Sequence, residues 1–353
     1  MSTTSAPRPR HRLAALVAVA ALALSGCGLR LESPAPTEPT PDAAESVRRN
    51  AVQDALALAD SAAGLADGAE PALGTVLTLI EDAAAVQVDQ LGGVYDSGLE
   101  TPTASPSPSS TPAATSTAEL LALLGSTASS ARSAAVQESD PQMARLLAAI
   151  AAARSQQAVQ LASTLGAEVP GLAAPDEVAA EAAVTDTGSL TSTPGAADGS
   201  GSGDGSATDA PATLPAATLT ALVVAEDQAG YGYEVAAARL SEDARTTALA
   251  DARTHRARAE SWAQVAGIAG TGQDPRQVAY DLGSTPTEAD AVRTFCAGLE
   301  RQLTDVYADA LLETGADSGD RVELVDRLRE AALDLLTWGG TATALPGMDS
   351  VVS

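Results

Sequence analysis

Three polar residues in the C-terminal part of the chain, Glu226, His255 and Glu300, are of the types that could do chemistry, and each lies on the apolar side of a helical pattern. Glu226 shares its face with Leu219, Leu222, Val223 and Tyr233, His255 with Ala248, Ala259 and Trp262, and Glu300 with Cys296, Leu303 and Tyr307. Three such faces turned toward one core would bring an imidazole and two carboxylates together. One His with carboxylates is a donor set for a hard or borderline divalent ion. It is equally the donor set of a hydrogen-bonded network, because a buried carboxylate needs a partner and His255 or a nearby Arg supplies one. Both readings stay open from the residues alone. Hydrolysis through His255 finds no support, since no nucleophile elbow or oxyanion motif accompanies it. No catalytic residue and no cofactor are therefore assigned.

A second chemical position lies at the N-terminus. Arg8, Arg10 and Arg12 precede an apolar run from Leu13 to Leu24, and Leu24-Ser25-Gly26-Cys27 closes it. The layout is that of a secretory signal over residues 1–26. A Cys at the cleavage point resembles the bacterial lipoprotein signal, which implies that Cys27 is acylated and becomes the new N-terminus. Two acyl chains hold firmly where one is marginal, at about 0.8 kcal/mol per buried CH₂. The expectation is a chain anchored by Cys27 at the outer face of the cytoplasmic membrane, where a cell-envelope protein is the expected partner.

Composition removes several other functions. The formal charge is −26, and loss of residues 1–26 takes three Arg and no acid, leaving −29. Nucleic acid is excluded as a partner on that ground. All 20 basic side chains are Arg, so a P-loop lysine, a Schiff base and a Lys general base are absent. The glycine run Gly199 to Gly205 follows no strand pattern and opens no helix, which makes it a linker and not a phosphate cradle. With Cys27 acylated, Cys296 has no disulfide partner; Val292 and Leu299 at helical spacing mark it as a buried thiol.

The elements that must position these residues are helices, and no period-2 strand pattern is found. Residues 27–41 (stalk), 98–116 (insert) and 171–213 (linker) are rich in Pro, Ser, Thr, Gly and Ala without apolar periodicity, and read as disordered. They leave a helical bundle at 42–170 and a second at 214–346. In the first, a capping box at Asp42 and Glu45 opens a stripe running through Val47, Ala51, Leu58 and Leu65, and Gly92-Gly93 stops the next helix. Ser116 with Glu119, and Asp140-Pro141, open two more, the last ended by Gly166. In the second, the helices run from about Pro215 to Leu240, from Ser241 to about Val265, from Thr285-Pro286-Thr287-Glu288 onward, and to Trp338-Gly339-Gly340. The long loop 267–284 holds a short helix from Asp274 in this reading. Arg253, Arg256 and Arg258 form a wet face paired with Asp251 and Glu260. Seven of the chain's eight aromatics fall in this second bundle, which predicts its better-packed core.

Ala225-Glu226-Asp227-Gln228-Ala229-Gly230-Tyr231-Gly232-Tyr233, Thr254-His255-Arg256-Ala257-Arg258, Cys296 to Glu300 with Tyr307, and Leu345-Pro346-Gly347 together resemble a ferritin-like domain of unknown function found in lipoproteins of high-GC Gram-positive bacteria. The resemblance covers about residues 214–346 and implies a four-helix bundle with a long crossover. Ferritin-like metal centres draw a Glu from each of two helices and a Glu-x-x-His from each of the others. Here one His follows the signal and no Glu lies three residues before it; Asp251 lies four before. The leading expectation is a non-catalytic binding or scaffolding module. The alternative is a metal-binding oxidase or store using Glu226, His255 and Glu300.

Overall fold

The computed structural model describes residues 40–98, 111–169 and 214–348. The expected signal 1–26, Cys27, nearly all of the expected stalk, most of the expected insert and the whole of 171–213 lie outside them. Among the described residues there are eight helices and no strand: α1 Ala43–Ala66, α2 Pro71–Gln90, α3 Thr117–Gln137, α4 Pro141–Leu165, α5 Ala216–Ala237, α6 Glu242–Val265, α7 Ala289–Leu311 and α8 Gly319–Thr337.

Local chemistry sets the boundaries. Asp42 caps α1 by accepting from Glu45 N at 2.8 Å, and Ser116 caps α3 by accepting from Glu119 N at 3.3 Å. Pro71 and Pro141 occupy the first turns of α2 and α4, where no N–H is needed. Gly166 closes α4 at φ 63°, and Gly92 and Gly93 follow α2 at φ 84° and 77°. Two expectations are corrected. Helix α7 begins at Ala289 with Glu288 as N-cap and no side-chain cap bond, so Thr285 and Pro286 precede the helix. No helix starts at Asp274; its carboxylate binds Gly270 N at 3.1 Å and the Arg276 guanidinium, holding the loop in turns instead. Part of the expected disordered insert is also ordered, since Thr111 Oγ1 donates to Asp54 and Ala114 N to Ser61 Oγ.

The two helix quartets share one pattern. In the first, α1 packs on α2, α3 on α4, α1 on α3 and α2 on α4. In the second, α5 packs on α6, α7 on α8 and α5 on α7, while α6 meets α8 through longer side chains, Arg258 with Glu330 and Asp251 with Trp338. In the second bundle, residues 266–288 form a long connection between its second and third helices.

All eight helices belong to one compact unit. Helix α4 is the reason: Leu146 to Ala158 are buried without interruption, the pattern of a core helix and not of an amphipathic surface one. One face serves its own bundle and the other packs on α8 and α7. Ala148, Ala149, Ala151 and Ala152 lie in one apolar cluster with Ala331 and Ala332 of α8. Polar ties fix the register: Gln156 Nε2 donates to Ala332 O at 2.5 Å, Arg132 chelates Asp326 at 2.6 Å through two N–H groups, and buried Arg321 reaches Glu138 O.

Candidate functional site

Glu226, His255 and Glu300 converge at mid-height of the second bundle, from α5, α6 and α7, and are 0%, 1% and 0% exposed. Their helical faces put them there, because the neighbours that share those faces are buried with them. His255 lies between the two acids: Nδ1 is 2.7 Å from Glu226 Oε2, and Nε2 is 3.1 Å from Glu300 Oε1. Each ring nitrogen thus faces a carboxylate oxygen, an arrangement that favours the doubly protonated ring. Burial alone would make that charge less favourable, yet the fields and hydrogen bonds of Glu226 and Glu300 prevail and push its pKa up to about 10.

A second layer orients the first. Tyr233 donates from its hydroxyl to Glu300 Oε1 at 2.5 Å, and its ring stacks on the imidazole with centroids 5.3 Å apart and planes 2° from parallel. Burial, then Glu300, holds the Tyr233 hydroxyl well above its usual range. Trp338 packs on Tyr233 and donates Nε1 to Asp251 Oδ2 at 2.9 Å. Desolvation pushes Asp251 up to about 6 and, together with Glu300 and Asp251, pushes Asp334 up to about 8. Buried Glu330 is shared by Arg258 at 2.8 Å and Arg327 at 2.7 Å. Burial raises the Cys296 thiol to about 12, so it sits in the core protonated and unreactive.

The donors do not fit a metal ion in this arrangement. Ligands of one ion must face one point, whereas the two carboxylates stand at opposite edges of the imidazole and occupy both of its nitrogens. Among the described residues, no group of three or more His, Cys, Asp or Glu is arranged to hold a metal. Glu226 Oε1 and Glu300 Oε2 nevertheless accept no hydrogen bond from the protein.

The arginines of α6 have other partners than expected. Arg256 donates to buried Asp227 at 2.5 Å and to Glu234, Arg258 to Glu330, and Glu260 pairs with Arg276 of the crossover loop. Arg253 alone of the three is exposed. Asp227 also accepts from Tyr280 Oη at 2.7 Å and Gln277 N at 3.2 Å, which straps the crossover to α5. Sequence reasoning noticed Tyr233 on the face of Glu226 and Asp251 one turn before His255. It missed Asp334 and Glu330, whose places in α8 carry no spacing signal, and Asp227, whose partners include a loop as well as Arg256.

Residues 217–350 match the model of a family described as a domain of unknown function, DUF4439. The match includes all three central residues and the Leu345-Pro346-Gly347 segment. No curated protein and no solved structure is detectably similar to the chain.

Proposed function

We propose that the chain is a lipid-anchored protein at the outer face of the cytoplasmic membrane that acts as a non-catalytic binding or scaffolding module, its second bundle ferritin-like. The carrying observation is the sealed Glu226–His255–Glu300 centre, whose ring nitrogens are both taken and which offers a substrate no exposed polar group. The long crossover supports the ferritin-like label, and the signal ending at Cys27 supports the anchor. Binding then falls to surfaces, with a cell-envelope protein as partner. Cross-linking in intact membranes followed by pulldown should return a specific envelope protein, and Cys27→Ser should release the chain from the membrane fraction. A chain that stays membrane-bound without Cys27, or a purified protein that turns over a small substrate and captures no partner, would sink this reading.

The alternative, a metal-binding oxidase or store using Glu226, His255 and Glu300, draws support from the two carboxylate oxygens that accept no bond. It requires the imidazole to leave one carboxylate. Protein comprising residues 31–353, purified without a metal-affinity tag, decides by mass spectrometry: stoichiometric iron, manganese or zinc, lost in His255→Ala, establishes it, and metal-free folded protein removes it.

A further inference from the structure

The first bundle contains a buried cation that the surrounding protein only half satisfies. Arg154 of α4 is 0% exposed, and its nearest acid, Asp54, stands 3.7 Å from Nη1. Asp54 turns its other oxygen to Thr111 Oγ1 at 2.7 Å. The guanidinium makes three long bonds to neutral acceptors: Nε to Gln87 Oε1 at 3.2 Å, Nη1 to Thr127 O at 3.3 Å and Nη2 to Ala51 O at 3.2 Å. Five N–H bonds are available and three are used. Burial lowers its pKa to about 10, Asp54 only partly opposing this, as expected of an under-compensated charge.

Arg154 and Asp54 line a cavity of about 110 Å³ between α1 and α3, together with apolar Val47, Ala51, Ala131 and Leu147 and with exposed Asn50 and Ser130. A second cavity of about 190 Å³ shares Val47 and Ala134 with the first and continues along the same seam to Ala43 and Ser139. Small side chains on both helices leave the seam open. Apolar walls with a few buried polar groups, here Arg154 beside Asp54, are a common build of a small-molecule site.

We infer that the α1–α3 seam binds a small apolar molecule with a terminal carboxylate, its chain lying along Val47 and Ala134 and its carboxylate on the free N–H groups of Arg154. A planar guanidinium with spare donors suits a carboxylate better than any neutral head. The inference does not depend on the anchor or on the His255 centre.

The test uses the full chain carrying Cys27→Ser, so that no acyl group of its own competes, and titrates it calorimetrically with octanoate, octylamine and 1-octanol. Octanoate should bind at least about tenfold more tightly than the other two, and Asp54→Asn, which removes a negative charge from the cavity, should tighten it further. Arg154→Met should abolish binding, but it could also disturb the fold. Ala134→Leu, at a partly exposed position with Arg154 intact, should keep the circular dichroism spectrum and weaken octanoate by about tenfold or more. Equal affinity for octanoate and 1-octanol, no heat with any probe, or unchanged binding in a folded Ala134→Leu would overturn the inference.

Discussion

His255 is both the cation that makes two buried glutamates tolerable and the group whose proton ties the second bundle to pH. His255→Ala leaves Glu226 and Glu300 buried without a countercharge, and breaking a buried pair from one side costs about 3–5 kcal/mol. Urea denaturation at pH 7 should show that loss; a change below about 1 kcal/mol would mean that the carboxylates find partners elsewhere. The pH dependence has a definite sign. The imidazolium pKa rises from 6.5 to about 10 in the fold, so its contribution is whole below about pH 6.5 and is lost as pH climbs toward 10. Asp334 adds to the same slope up to about pH 8, because an acid held there keeps a proton that the unfolded chain releases sooner, whereas Asp251, held near 6, acts below that window. The melting temperature should therefore fall from pH 6 to pH 9, most gently in His255→Ala. A flat or rising trend contradicts the imidazolium assignment. The three central residues were legible in the sequence because each interrupts an apolar helical face. Their pairing was not, because spacing gives the face of a side chain and not the nitrogen it turns to its neighbour.

At the scale of elements, the glycines of the resemblance mark close approaches. A Cβ on Gly232 would meet Leu299 Cδ1 at 2.7 Å, a side-chain end that can swing away, at the α5–α7 contact. A Cβ on Gly347 would run into Thr304 O and Ala308 Cβ of α7, at a backbone φ of 77° that favours glycine. Gly347→Ala should consequently cost about 1–3 kcal/mol and Gly232→Ala less, in paired denaturation curves; the reverse order would show that the C-terminal segment is not docked on α7. Helix ends at Asp42, Ser116, Pro141 and Gly166 were readable because caps and breakers act within a few residues. The second face of α4 was not. Leu146, Leu147, Ile150 and Leu161 spell one stripe, whereas Ala148, Ala151 and Ala152 are too small to register in a hydrophobic pattern even though they let α8 approach. The α7 start was misplaced for the opposite reason: Thr285-Pro286-Thr287-Glu288 is a locally complete cap signal, but the crossover keeps those residues outside the helix.

For the whole molecule, the consequence of α4 outweighs the linker. A 43-residue stretch, 171–213, separates the bundles in sequence and suggests two independent domains, the aromatic-rich one the more stable. Yet the apolar cluster that includes Leu147 and Ala152 also includes Leu324, Leu328 and Ala332, so neither bundle can unfold without exposing the other's core. Arg132 with Asp326, and Arg321 on the carbonyl of Glu138, would lose their partners in the same step. Half-desolvated interfaces of this kind couple units thermodynamically, because the cost of exposure is borne by both. Calorimetry of the full chain should accordingly give one transition, and proteolytic cleavage within 171–213 should leave two fragments that co-elute. Residues 214–353 made alone would present α7 and α8 to water and should melt well below the full chain. Two resolved transitions, with the second bundle melting unchanged in isolation, would restore the two-domain picture and make the α4–α8 contact a mere apposition.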